Sequence, residues 1–366
     1  MEFTMKKPPI ISNQQRSYKR SLSLHISLII VSLTAIFTRA FIAVPEGESW
    51  VPDQMFKTFL MLFTGALVSV LIELVYSISE GTSQEFSEYR RLVDPINTGL
   101  LIALLLPTST PMYVLILAVA VGVYVGKIVF GGYGYYIFNP ALVGVLFATI
   151  SFATQIEYGD TPLVLLKQAI EGQSYNFELI DLVLGNYVAV AIGSTSVIVL
   201  GGVFIYLSIT RVIDLRLSGT FVLAILIISA IVGFVNFGGA MWNYVFVNMI
   251  TGLTMFGAVF LVAETVSSPT SREAKLIYAV VIAIMTMMVR ILGTEVEGVV
   301  FAVLLGNMLA PFLNRTVTRS NKKLFIQTSV ILAVVVLLTG FVLGFILQGR
   351  LIEAFDAMIQ WGGMIA

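Results

Sequence analysis

TGLLIALLLPTSTPMYVLILAVAVGVYVGKIVFGG, residues Thr98–Gly132, is an apolar run broken at Pro107-Thr108-Ser109 and closed by Lys127 and Gly131. A second stretch, FGAVFLVAETVSSPTSREAKLIYAVVIAIMTMMVRILG, residues Phe256–Gly293, follows the same plan, with its break at Pro269-Thr270-Ser271 and its close at Arg290 and Gly293. Each leads into a run bearing Gly, Asn and Pro: FNPALVGVLF from Phe138 and GVVFAVLLGNMLAP from Gly298. Repeats with short, Pro-interrupted spans are a common way of placing a site near the middle of a membrane. Backbone freed by such a break must be covered by protein or line a cavity.

The rest of the chain fits that reading. Of 366 residues, 58% are hydrophobic and 11% charged, with mean hydropathy +0.95. Soluble domains are nearer 45–50% apolar and about 25% charged. Apolar runs fall at 24–44, 55–78, 95–106, 111–130, 137–153, 186–210, 218–237, 245–266, 276–292, 298–313 and 324–347. These predict an all-α polytopic membrane protein with eleven candidate spans. The formal net charge is zero, which points to no charged partner and gives no basis for nucleic-acid binding. The absence of cysteine excludes disulfides, thiolate-held iron–sulfur clusters and covalent c-type haem within this chain. No metal site is read: His25 is the sole histidine and is expected at the membrane interface. The basic start (Lys6, Lys7, Arg16, Lys19, Arg20) runs into an apolar segment too long for the core of a cleavable signal.

Charge orients the spans. With the N-terminus in the cytoplasm, sixteen basic residues fall on cytoplasmic segments and five (Arg39, Lys57, Lys167, Arg290, Arg350) on the other side, as the positive-inside rule requires. The two similar stretches lie five spans apart and are therefore inverted relative to one another. The expected organisation is a cytoplasmic arm at 1–22, a five-helix repeat at 23–153, an external loop at 154–185, a second, inverted five-helix repeat at 186–315, and a basic linker, eleventh span and amphipathic tail at 316–366. The tail is expected to lie outside the cytoplasm and to dock on a neighbouring subunit. Lys127 and Arg290 occupy matching places and are expected to anchor helix ends at opposite interfaces.

Within the external loop, EYGDTPL (Glu157–Leu163) interrupts the apolar pattern. By composition it is a turn, with Asp160 and Pro162 in ordinary turn roles. Two carboxylates sit at membrane depth, where ionisable groups are costly and functional by default. Glu264 precedes the second break, where it can meet a cation or a backbone amide, or lie in water at the helix end. Glu73 lies well inside the second span and is expected to face a polar seam. Both are ion-pathway candidates.

At GKIVFGGYGYYIFNPALVG (Gly126–Gly144), TGLTMFGAVFLVAETVSSPTS (from Thr251) and VRILGTEVEGVVFAVLLGNMLAP (from Val289) the chain resembles the RnfD/NqrB family. These are flavin-bearing membrane subunits of ion-translocating Rnf and sodium-pumping NADH:quinone oxidoreductase complexes. The resemblance covers about residues 95–320, and the basic, Ser-rich start is more similar to the Rnf type. It implies an inverted-repeat fold like that of urea and ammonium channels. It also implies FMN held through a phosphoester to a threonine in an external loop, where the family reads roughly D-x-x-S/T-G-A-T. The stretch that aligns is the one ending in Thr161, so the resemblance assigns the flavin to Thr161 with Gly159 and Pro162 beside it. Gln155, Tyr158 and Asp160 depart from the pattern. GSTS (Gly193–Ser196) stands where the family reads G-E-T-S, which makes Thr195 and Ser196 candidates for lining the flavin pocket. Close helix packing through small residues is the other reading of that stretch. Glu264 stands where the family has Asp.

The implied function is electron relay, through FMN on the extracytoplasmic side, within a complex that moves Na⁺ or H⁺ across a bacterial or archaeal cytoplasmic membrane. The implied partners are other membrane and peripheral subunits carrying iron–sulfur clusters and a second flavin, a flavin transferase for maturation, and membrane lipid. The chain would not be catalytic alone. The alternatives are a solute channel or transporter of the same fold and a flavin-free structural subunit.

Overall fold

The computed structural model describes residues 14–41, 52–80, 89–156, 183–184, 191–194, 196–238, 241–251, 253–292, 298–317 and 322–365. The described residues form helices: α1 (Gln14–Phe41), α2 (Pro52–Ser79), α3 (Tyr89–Leu105), α4 (Met112–Ile128), α5 (Pro140–Ser151), α6 (Val197–Ile209), α7 (Leu215–Phe237), α8 (Met241–Ile250), α9 (Thr254–Leu261), α10 (Arg272–Leu292), α11 (Gly298–Thr316) and α12 (Lys322–Ile365). Among them, six are long and apolar enough to cross a membrane, and α8 with α9 forms a seventh candidate bent by 57°. The chain is a multi-pass helical membrane protein.

The eleven apolar runs thus divide into six long helices, one bent pair and four shorter helices: α4, α5, α6 and the apolar part of α3 (Leu92–Leu105). The short ones stop where the sequence carries breakers. Pro111 opens α4 in extended geometry. Asn139 caps α5, its side chain accepting from the Ala141 amide at 2.9 Å, with Pro140 in the first turn. Pro at the first helical position loses no hydrogen bond, and an Asn cap satisfies a free amide.

Glycines set the closest crossings. A β-carbon on Gly99 would strike the Gly65 carbonyl, so α2 and α3 touch backbone to backbone. A β-carbon on Gly122 would lie 2.7 Å from the Pro140 carbonyl, and one on Gly144 would strike the Ala118 carbonyl, so α4 and α5 do the same. Small residues are how helices approach closely in lipid, where dispersion replaces the hydrophobic effect as the driving force. In the first half α2 packs on α3 and α4, α4 on α5, and α3 on α5. In the second half α7 packs on α8 and α10, α10 on α11, and α9 on α11. Between the halves α1 meets α6 and α5 meets α11. In the tail, α12 is one unbroken helix of 44 residues that holds the candidate span Lys323–Gly349 and runs on beyond it. At 1.5 Å per residue it is about 66 Å long, roughly twice the hydrocarbon thickness.

Two stretches of non-helical backbone beside the helix breaks are buried and hydrogen-bonded. After α3, an antiparallel bridge pairs Pro107 with Ala191. The amides of Ile192 and Gly193 donate to Leu106 and Leu104, at 2.9 and 2.6 Å. The buried Arg39 donates to the Ile192 carbonyl. Between α8 and α9, Arg290 donates to the carbonyls of Asn248 (2.8 Å) and Thr251 (2.9 Å). Arg290 is 2% exposed, so the expectation of an interfacial anchor is overturned. Its guanidinium is drawn inward because the bend frees carbonyls that no helical amide reaches.

Candidate functional site

The starts of α1, α3 and α5 meet the segments that follow α4, α6 and α9 around a cavity of ≈ 370 Å3. Arg20, Asp94, Asn97, Tyr136, Asn139 and Glu264 are among its lining residues. The loop after α4 reaches it because Gly131, Gly132 and Gly134 take positive φ (104°, 87° and 90°), which side chains with a β-carbon resist. The loop so formed carries Tyr133 and Tyr136 back onto the cavity.

Glu264 is held from several sides. The Tyr136 hydroxyl donates to its Oε1 at 2.6 Å and Ser267 donates to its Oε2. With its amide oriented to satisfy both ends, Asn307 of α11 accepts from the Asn139 amide at 3.1 Å and donates to Tyr278 Oη (2.7 Å) and Ser267 Oγ (3.3 Å). A chain of hydrogen bonds therefore runs from α11 through Ser267 to Glu264 and on to Tyr136, in the loop before α5. Glu264 is half-buried and meets hydroxyls of Tyr136 and Ser267 at the broken-helix region.

Glu73 faces two charged groups, Lys127 and Asp94. Lys127, 2% exposed, donates to both Glu73 and Asp94. The three groups join α2, α3 and α4 and carry one net negative charge. The last turn of α4, Tyr124–Ile128, is a π-turn. Such a turn inserts a residue into the helix and rotates the residues beyond it. Here Lys127 is directed inward, so the expected snorkelling to the interface does not occur. His25 is also buried rather than interfacial, with Nδ1 2.7 Å from Asn97 Oδ1. The structure thus brings Glu264 and Asp94 to one cavity and places Glu73 behind Asp94, sharing Lys127.

The loop candidates fare differently. Thr161, Gly159, Pro162 and Thr195 lie outside the described residues. Ser196 stands at the N-cap position of α6, is buried, and donates to the Val183 carbonyl at 3.2 Å. Its donor is engaged in tying residue 183 to α6. Gly193 packs against the Phe256 ring, where a β-carbon would lie 2.7 Å from it, in keeping with the small-residue packing reading of GSTS. Sequence reasoning missed Asp94, Tyr136, Asn139, Ser267 and Asn307. The Asn-Pro pair at 139–140 is a helix-start signal that marks Asn139 as structurally committed, but nothing local reveals its partners.

The family described as NQR2, RnfD, RnfE matches residues 4–323. A Na(+)-translocating NADH-quinone reductase subunit from Chromohalobacter salexigens is 30% identical over 247 residues, covering 62% of this chain and 58% of that protein. Its counterpart in Pseudoalteromonas atlantica is 32% identical over 248 residues, covering 62% of this chain and 60% of that protein. An ion-translocating oxidoreductase complex subunit from Aeromonas hydrophila subsp. hydrophila is 27% identical over 262 residues, covering 59% of this chain and 74% of that protein. The chain therefore spans less than two thirds of the length of its NADH-quinone reductase relatives.

Proposed function

Because this chain belongs to the NQR2, RnfD, RnfE family, we propose that it is a membrane electron-transfer subunit of an ion-translocating oxidoreductase complex. The observation that carries this reading beyond family membership is the half-buried Glu264, hydrogen-bonded across the junction of the two helix groups and lining a cavity beside Asp94. A carboxylate kept at membrane depth with its acceptors engaged is a site for meeting a cation or a proton. Glu264 is the ion-pathway residue, and Glu73, with Asp94 and Lys127, forms the charged wall behind it.

FMN is carried on Thr161 through a phosphoester, flanked by Gly159 and Pro162, with Thr195 and Ser196 at the edge of its pocket. When bound, the flavin supplies the redox chemistry, while the chain supplies position and electrostatics. Maturation requires a flavin transferase. Partner subunits supply the iron–sulfur clusters, a second flavin and the donor site, since the chain has no cysteine. The N-terminus is cytoplasmic, the 154–185 loop is external and α12 ends outside the cytoplasm.

The five-plus-five inverted repeat is supported by how the helices pack. Pairings α2–α3, α2–α4, α4–α5 and α3–α5 have counterparts in α7–α8, α7–α10, α10–α11 and α9–α11. The contacts between halves, α1–α6 and α5–α11, each join a span to its own counterpart, as a twofold arrangement requires. That arrangement is the one expected for a urea/ammonium-channel-like fold.

Intact-mass spectrometry of the full chain, purified from a host with an active flavin transferase, tests the flavin. The expected result is an increment of one FMN that disappears in Thr161→Val. An unmodified wild-type mass would overturn the flavin assignment and leave a solute channel or a flavin-free structural subunit.

A further inference from the structure

Two adjoining cavities lie beside the one that holds Glu264, on the membrane face where α1 begins. One, of ≈ 470 Å3, is lined by Lys19, Arg20, Ser23 and Arg211 among others. The other, of ≈ 500 Å3, is lined by Arg20, Arg211, Arg216 and Lys275, with Asp214 as its acid. They share Arg20 and Arg211, so five bases face one carboxylate. Lys275 is committed to Asp214 at 2.7 Å. Among the described residues, no carboxylate lies within ion-pairing distance of Lys19, Arg20 or Arg211. All three are exposed.

Arg211 adds an independent observation. It follows the last turn of α6 with φ 56°, a left-handed conformation that helix ends ordinarily give to Gly or Asn. The Val212 amide closes this end by donating to the Leu207 carbonyl at 3.0 Å. A long cationic side chain is thus held where glycine is conformationally easier, and strain of that kind collects at functional positions. Immediately along the chain from these bases lie exposed apolar residues: Ile205 (59%) and Ile209 (75%) on α6, and Leu215 (54%) at the start of α7. On α1, one turn or more beyond Lys19 and Arg20, Ile26 and Ile30 are also exposed.

We propose that this groove between α1, α6 and the start of α7 binds the phosphate headgroup of an anionic glycerophospholipid. Arg20, Arg211 and Arg216 contact the phosphate, and the acyl chains lie along Ile205, Ile209 and Leu215. A cationic cluster bordered by lipid-facing apolar side chains matches an amphiphile with an anionic head, whereas a soluble anion makes no use of the apolar strip. Because Arg20 also lines the Glu264 cavity, a lipid held there closes one edge of that cavity.

Native mass spectrometry of the detergent-purified full chain tests the site. The chain is titrated with phosphatidylglycerol and with phosphatidylcholine of the same acyl composition. Each base near a membrane surface is worth roughly fivefold in anionic-lipid affinity, so Arg20→Gln/Arg211→Asn/Arg216→Gln is expected to weaken phosphatidylglycerol binding roughly a hundredfold. Phosphatidylcholine binding should not change. Arg315→Gln/Lys323→Gln, which removes two exposed bases elsewhere, should stay within about twofold of wild type in phosphatidylglycerol binding, since neither base lines the groove. Arg211→Asn alone, which tolerates the left-handed turn, should lose roughly fivefold and guards against misfolding of the triple variant. Equal binding of the two lipids by wild type, undiminished phosphatidylglycerol binding by both groove variants, or displacement of the lipid by inorganic phosphate would each overturn the proposal.

Discussion

Lys127 and Arg290 hold matching places in two similar stretches, yet one is met by carboxylates and the other by carbonyls. Lys127 ends in a compact point charge and sits between Glu73 and Asp94 from two other helices. Arg290 ends in a planar fork and spans two backbone carbonyls of a single bend. The difference follows from side-chain chemistry, since an ammonium is a point donor and a guanidinium suits paired acceptors at fixed spacing. The first half is fastened at that position by charge, and the second by capping freed backbone. Sequence similarity therefore matched the places of the two bases but not their work.

The comparison breaks most readily at Lys127. Lys127→Met leaves two half-buried carboxylates without their counter-charge, and removing one partner of a buried pair costs about 3–5 kcal/mol. Thermal unfolding in detergent should show that loss, and Lys127→Met/Glu73→Gln/Asp94→Asn should recover most of it. Failure of the triple variant to recover would mean that Lys127 acts through packing rather than charge. Arg290→Leu should cost somewhat less, about 2–3 kcal/mol, because it leaves two neutral carbonyls with only the Thr254 hydroxyl to share between them. Arg290→Lys should restore only part, since one ammonium does not span both. Full restoration by lysine would erase the distinction drawn between the two sites.

Glu264→Gln keeps an oxygen acceptor for one of the two hydroxyls of Tyr136 and Ser267 and presents an NH2 group that the other can meet by accepting, so its stability cost should be about 1 kcal/mol. Ion-coupled turnover of the assembled complex should nevertheless fall sharply, because the charge is gone. Unchanged coupling in reconstituted vesicles would remove Glu264 from the ion path. The smallest effect is expected at Asp214, on the loop before α7. Partial burial pushes its carboxyl up, but the Lys275 hydrogen bond, the Arg216 amide and the nearby charges of both residues leave it below its ordinary value of 3.8. A depressed carboxylate contributes stability that is present above its unfolded pKa and lost as pH falls through the folded one. Asp214→Asn should therefore cost at most about 0.5 kcal/mol near neutrality, after solvent screening. That difference should shrink as pH falls below 3.8 and vanish once the folded-state carboxyl is protonated. A difference that persisted there would show that the amide disturbs the α7 cap instead.

Much of the helical layout was legible because it rests on local composition. Each of the eleven apolar runs returns as helix, and Pro107 and Pro269 mark real interruptions. Helix length was less legible. The runs at 95–106, 111–130, 137–153 and 186–210 look like full spans, but the apolar helices described within them cover only 92–105, 112–128, 140–151 and 197–209. Orientation of side chains was least legible. The inward turn of Lys127 depends on a π-turn, and its partners lie 54 and 33 residues away. The acceptors of Arg290 lie 42 and 39 residues away, and Tyr136 is 128 residues from Glu264.

By itself, the sequence determined that this chain is helical and membrane-embedded, where its helices break, and which charged side chains fall within its apolar stretches. Apolar run length, proline and charge are properties of a segment, so neighbours were not needed to read them. Only the tertiary structure decided what those charges meet. A buried ion or a freed carbonyl is satisfied by whichever group packing brings within about 3 Å, and in this protein those groups come from distant helices. Glu264 thereby became part of a network linking the two halves, and Lys127 and Arg290 became two different fastenings instead of one repeated anchor.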